Sequence, residues 1–96
     1  MRVLIAAALL IAASGPALAA DGRLLAQACL GCHGPDNAGA SSTPGIAGRP
    51  AAELVAQMNA FRANERPGTI MGRIARGYSD AEIAAVAAHL ATEARR

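Results

Sequence analysis

Cys29 and Cys32 are the only cysteines in the 96-residue chain, and His33 follows the second directly. The run Cys29-Leu30-Gly31-Cys32-His33 thus gathers two thiols and an imidazole within five residues. Such groups can ligate a metal, exchange disulfides or attach a haem, and their spacing separates the three. A redox Cys-x-x-Cys sits in a βαβ framework, and no strand-like runs are present to build one. A structural zinc ion wants four ligands. Only the distant His89 could complete that set, and adjacent Cys32 and His33 are awkward co-ligands. A disulfide between residues three apart closes a very small loop and constrains little. What remains is the Cys-x-x-Cys-His signature of covalent haem attachment. On one helical turn the two sulfurs share a side and can form thioethers with two vinyl groups. His33 is then placed to give an imidazole nitrogen to the proximal face of the iron. Gly31 leaves room for a flat macrocycle close to the backbone. We read one covalent haem c, held by Cys29 and Cys32, with His33 as its proximal iron ligand.

The distal position has three candidates, Met58, Met71 and His89. Met58 is in register with Leu54 and Phe61 and suits a core filler. His89 falls near the packing seam of the last helix, and as a ligand it would make a bis-imidazole haem. Met71 follows Pro67-Gly68-Thr69-Ile70 and stands away from any long apolar stripe, so its thioether can reach the iron from a loop. A His/Met pair raises the reduction potential and closes the iron to outside ligands, which favours electron transfer over catalysis. Met71 is the favoured candidate.

The elements that must carry these residues are short helices. Residues 22–32 have Leu24, Leu25 and Ala28 at helical spacing and stop at Gly34-Pro35. Residues 34–48 are rich in Gly, Pro, Ser and Thr and read as loop. Pro50 suits the first turn of a second helix, whose apolar face is Leu54, Val55, Met58 and Phe61. Residues 64–68 break the pattern, and residues 69–77 form a short helical turn. Ser79 and Glu82 make a capping box for the last helix, striped by Ile83, Val86, Ala87, Leu90 and Ala94. The trailing Arg95 and Arg96 suit its negative end. The fold class is all-α: three main helices and a short one packed around the haem.

Composition says why a haem is needed. The chain is 53% hydrophobic, yet 26 of its residues are alanine, against one Phe, one Tyr and no Trp. Alanine buries little area, and aromatics normally supply much of a small core. A single core of 70–80 residues rarely holds more than about 3–5 kcal/mol without a staple. The first residues do not contribute, because Arg2, the apolar run Val3–Ala13, the break at Gly15-Pro16 and Ala17-Leu18-Ala19 lay out a secretory signal peptide. Eleven apolar residues are too few for a membrane anchor, which needs roughly 20. We therefore expect a signal peptide over 1–19, a monohaem domain over 20–96 with no membrane span, and export to the periplasm.

The mature chain resembles a small class I cytochrome c over nearly its whole length. More narrowly it is similar to the haem subunit of flavocytochrome c sulfide dehydrogenases. The likeness lies in Ala28–Gly34, Thr43–Gly48, Ala60-Phe61-Arg62 with Glu65-Arg66-Pro67, and Ile70–Ala75 followed by Gly77-Tyr78-Ser79. The first block is common to all c-type cytochromes, and Met71-Gly72-Arg73-Ile74-Ala75 is the more telling. The resemblance implies that Met71 is the distal ligand and that the Pro44 carbonyl accepts the proximal imidazole's N–H. It also implies a partner, an FAD-containing flavoprotein subunit that oxidises sulfide and passes electrons singly to this haem. Where that family usually has aromatics near the last helix's packing site, this chain has His89-Leu90.

Charge adds a modest argument. The formal net charge is +2. Loss of Arg2 leaves +1, and two haem propionates bring the total to about −1. There is no lysine, no arginine-rich stripe and no set of stacking aromatics, so nucleic acid is a poor fit. Long-range steering of a free shuttle wants a strong one-sided field, and a docked subunit suits this balance better. Arg62, Arg66, Arg73 and Tyr78 are candidates to meet the propionates. The alternatives are a free carrier feeding a terminal oxidase or photosynthetic reaction centre, and a haem enzyme such as a peroxidase, which needs an open iron.

Overall fold

Asp21 starts the first helix: its carboxylate accepts the Leu24 N–H at 3.2 Å, the side-chain cap that a helix start lacks from its own backbone. The structure is a computed structural model that describes residues 20–68 and 70–94. The expected signal segment over 1–19, Thr69, and the trailing Arg95 and Arg96 lie outside the described residues. Helix α1 spans Gly22–Gln27, α2 Leu30–His33, α3 Ala51–Arg62, α4 Met71–Arg76 and α5 Asp80–Thr92, with a 3₁₀ turn over Pro35–Asn37 after α2. Among the described residues the only sheet-like pairing is an isolated bridge between Ala40 and Thr43. The chain is all-α.

The single helix read over residues 22–32 is two helices. Ala28 N–H bonds Leu25 O and Cys29 N–H bonds Ala26 O, so the winding tightens to i→i+3 at the junction. That junction leaves Cys29 half-buried against the core and Leu30, Gly31 and Cys32 exposed. Pro50 stands one residue earlier than its expected place, as the N-cap of α3. The short helical turn is Met71–Arg76 rather than 69–77. Ala94 lies beyond the end of α5, whose chain turns extended at Glu93.

The last helix opens on the expected capping box. The Ser79 hydroxyl accepts the Glu82 N–H at 3.1 Å, and the Glu82 carboxylate accepts the Ser79 N–H at 2.9 Å. Ile83, Val86, Ala87 and Leu90 are its buried stripe. Helix α1 packs across α5, and α3 packs on both α4 and α5. The crossing of α1 and α5 depends on Gly22, where a Cβ would come within 2.1 Å of the Ala85 carbonyl oxygen. Ala26, Leu54, Val86, Ala87 and Leu90 form the core cluster, with Cys29, Ile46 and Val55 packed against it. Of the eight buried hydrophobic residues described, four are alanine. Protein side chains alone make a thin core.

Candidate haem-binding site

His33 ends α2, and its ring is buried at 8% exposure. Its Nδ1 lies 2.6 Å from the Pro44 carbonyl oxygen. A carbonyl only accepts, so Nδ1 carries a proton, and the neutral ring then has its lone pair on Nε2. A neutral imidazole in that tautomer is a ready metal donor at Nε2, and a bond at the opposite nitrogen fixes its orientation.

The loop behind Pro44 is held from several sides. The Asn37 carbonyl accepts the Ile46 and Ala47 N–H groups at 2.9 and 3.0 Å. Asn37 itself is 1% exposed, adopts φ +56°, and donates from Nδ2 to Ala26 O of α1 at 3.4 Å. Arg49 donates from Nε to Gly45 O at 2.8 Å and pairs with Glu53 of α3 at 3.1 Å. Sequence reasoning singled out neither residue. An asparagine in a Gly/Pro-rich loop is a weak signal for left-handed backbone; Arg49 carried none.

No disulfide joins the two cysteines, and Cys29 is half-buried while Cys32 is exposed. Burial, then the charges of Glu93 and Cys32, push the Cys29 thiol above its ordinary value. Burial, then Cys29 and Glu82, likewise raise the Tyr78 hydroxyl, so Tyr78 stands within electrostatic reach of the cysteine segment.

The three distal candidates stand on three different helices. Met71 is the first residue of α4, half-buried, on a helix packed against α3, whereas α2 packs on the 3₁₀ turn. Met58 is half-buried on α3. His89 is engaged elsewhere: its Nε2 donates to Glu93 at 3.0 Å. Both line a cleft of about 320 Å³ with Arg23 and Asn37, and neither His33 nor Met71 belongs to that lining. Arg62, read as a propionate candidate, is bonded to Tyr78 O, Asn59 and Asp80.

These residues fit a haem. Two cysteine sulfurs at the attachment spacing stand beside a buried imidazole whose Nδ1 is held by Pro44 O, leaving Nε2 as the nitrogen for a metal. A Cβ on Gly31 would meet no atom within 4 Å, so the backbone between the thiols is open to a flat ligand. Leu30 and Ile70, which flank Cys29 and Met71, are large apolar residues left 39% and 54% exposed. Among the described residues no group of three or more His, Cys, Asp or Glu could hold a metal by itself. No helix among them is long and apolar enough to cross a membrane.

Comparison with known proteins agrees. The family model for cytochrome c matches residues 19–93. The chain is 46% identical over 67 residues to a thiosulfate dehydrogenase electron acceptor of Stutzerimonas stutzeri, covering 66% of this chain and 31% of that protein. It is 35% identical over 72 residues to the cytochrome subunit of sulfide dehydrogenase of Chlorobaculum tepidum, covering 75% of this chain and 66% of that one. Among solved structures, a thiosulfate dehydrogenase of Marichromatium purpuratum superposes with a TM-score of 0.66 at 37% identity, over 69% of this chain and 15% of that one. The chain thus spans a third to two thirds of the length of these curated relatives.

Proposed function

The chain belongs to the cytochrome c family, with covalently bound haem c and electron transfer as its work, and from that premise we propose that it is the periplasmic haem subunit of a sulfide-oxidising flavoprotein complex. The observation that carries the site is the buried His33 ring with Nδ1 bonded to Pro44 O, beside Cys29 and Cys32 at the attachment spacing. The partner class rests on the relative described as the cytochrome subunit of sulfide dehydrogenase. Export is supported by the signal-like residues 1–19 and by a family match that begins at residue 19.

In this reading Cys29 and Cys32 form the two thioethers, His33 Nε2 is the proximal ligand and Met71 Sδ the distal one. A bound haem supplies a one-electron couple at its iron. The His33–Pro44 bond keeps the imidazole in one tautomer and makes Nε2 a better donor. His33 and Met71 as the two iron ligands would leave an outside molecule no coordination site, so the sulfur chemistry would belong to the partner. The 46% identical relative described as a thiosulfate dehydrogenase electron acceptor favours a second reading, in which the donor oxidises thiosulfate.

The test is a pull-down of the tagged mature chain from its own periplasm, with absorption spectra of the eluate. A stoichiometric flavin band beside the haem bands, with haem reduction by sulfide, supports the flavoprotein reading. Reduction by thiosulfate without flavin supports the second. Haem bands with no partner make it a free carrier, and an eluate without haem overturns the site.

A further inference from the structure

We propose that Arg62 is the positioning residue for the Met71 segment: its guanidinium ties the end of α3 to the start of α5 and so closes the loop that presents Met71. The proposal rests on the reading of Met71 as the distal ligand. Arg62 is the last residue of α3, and its side chain is about one third exposed. Nη1 donates to Tyr78 O at 3.3 Å, and Nη2 donates to Asn59 Oδ1 at 3.0 Å and pairs with the Asp80 carboxylate. The chain between these anchors, residues 63–77, contains Met71 and all of α4.

The near half of that segment is already stitched to α3. Glu65 and Arg66 N–H groups both reach Ala60 O, at 2.8 and 3.2 Å. The Arg66 guanidinium lies 4.8 Å from the Phe61 ring centroid. Gly68 runs so close over Phe61 that a Cβ there would stand 2.7 Å from Cε1 and 3.6 Å from Met71 Cβ. The far half, after α4, is bound to α3 through Arg62. Its bond to Tyr78 O fixes the residue just before the α5 capping box, so the angle at which α4 returns is set there. Closing a loop at both ends removes conformations in which its middle swings outward. A planar fork with several N–H groups can serve three acceptors at once, which an ammonium on a flexible stem does less well.

The experiment uses the ferric haem-loaded protein and reads the methionine-to-iron charge-transfer band while imidazole is titrated in. Arg62→Ala should lose the band at about tenfold lower imidazole, the scale expected when hydrogen bonds from a charged group are lost. Arg62→Lys should fall between it and the wild type. Asp80→Asn, which keeps the guanidinium and its bond to Tyr78 O, should shift less than Arg62→Ala and serves, with Arg62→Lys, if the alanine variant does not load haem. Met71→Ala, the control for the ligand itself, should show no band at any concentration. Unchanged imidazole affinity in the Arg62 variants, with only the melting temperature lowered, would overturn the positioning role. A band that survives in Met71→Ala would overturn the ligand assignment and this proposal with it.

Discussion

Cys29 and Cys32 belong to one motif but meet different surroundings. Cys29 packs against the Ala26–Leu54–Val86 cluster with its thiol pushed up by burial, whereas Cys32 is exposed. A raised thiol carries less thiolate at a given pH, and thiolate is the nucleophile. Iodoacetamide should therefore modify Cys32 well before Cys29 in the reduced, haem-free chain, and peptide mass mapping over a time course reads the order. On the proposed ligation by Met71, Met71→Ala should open the iron to carbon monoxide and lower the reduction potential, whereas Met58→Ala should cost roughly 1–3 kcal/mol of stability, below a fully buried Met because this one is half-buried. Carbon monoxide difference spectra and redox titration check the first, urea unfolding the second. At this scale the attachment motif was legible because its chemistry depends on spacing along the chain. Asn37 was not, and Arg62 was read only as a propionate candidate, since it reaches residues 16 and 18 positions away and a left-handed φ leaves little mark on composition.

Helix ends and crossings are the next scale. The Ser79–Glu82 pair was readable because a capping box is local, and Ser79→Ala should cost about 1 kcal/mol in urea unfolding. The split between α1 and α2 was not readable: Leu24, Leu25 and Ala28 keep helical spacing through the junction, and tertiary packing of Cys29 decides where the winding tightens. Gly22 and Gly31 make a sharper comparison. A Cβ on Gly22 would strike the Ala85 carbonyl at 2.1 Å, while one on Gly31 would meet nothing. Gly22→Ala should destabilise by about 1–3 kcal/mol through forced separation of α1 and α5. Gly31→Ala should leave the stability of the haem-free chain unchanged or raise it slightly, since alanine favours a helix. Thermal melts of both variants read the contrast. Where the resembled family has aromatics near this packing site the chain has His89-Leu90, and Gly22 lies close against Ala85 and His89 there.

For the whole molecule the cofactor is part of the core. With four alanines among eight buried hydrophobic residues, the polypeptide alone has little to bury. The haem-free chain should keep much of its helical circular dichroism but unfold with low cooperativity and bind a hydrophobic dye, whereas the haem-loaded protein should melt in one sharp transition. Scarcity of aromatics already pointed to this from composition, which is why fold class and cofactor were legible together while the loop geometry around Pro44 was not.

The seat of α1 on α5 also sets an order of events. The helix that leads into the two cysteines has its principal partner at the far end of the chain, some sixty residues later. Such long-range closure is slow to form and is the last contact available to a chain emerging amino-terminus first. Until α5 arrives, Cys29 has no Val86 or Leu90 to shelter it, and both thiols stand open on a short, unpaired helix. The order in which the chain becomes available thus leaves Cys29 uncovered until the final helix docks, while Cys32 stays exposed throughout.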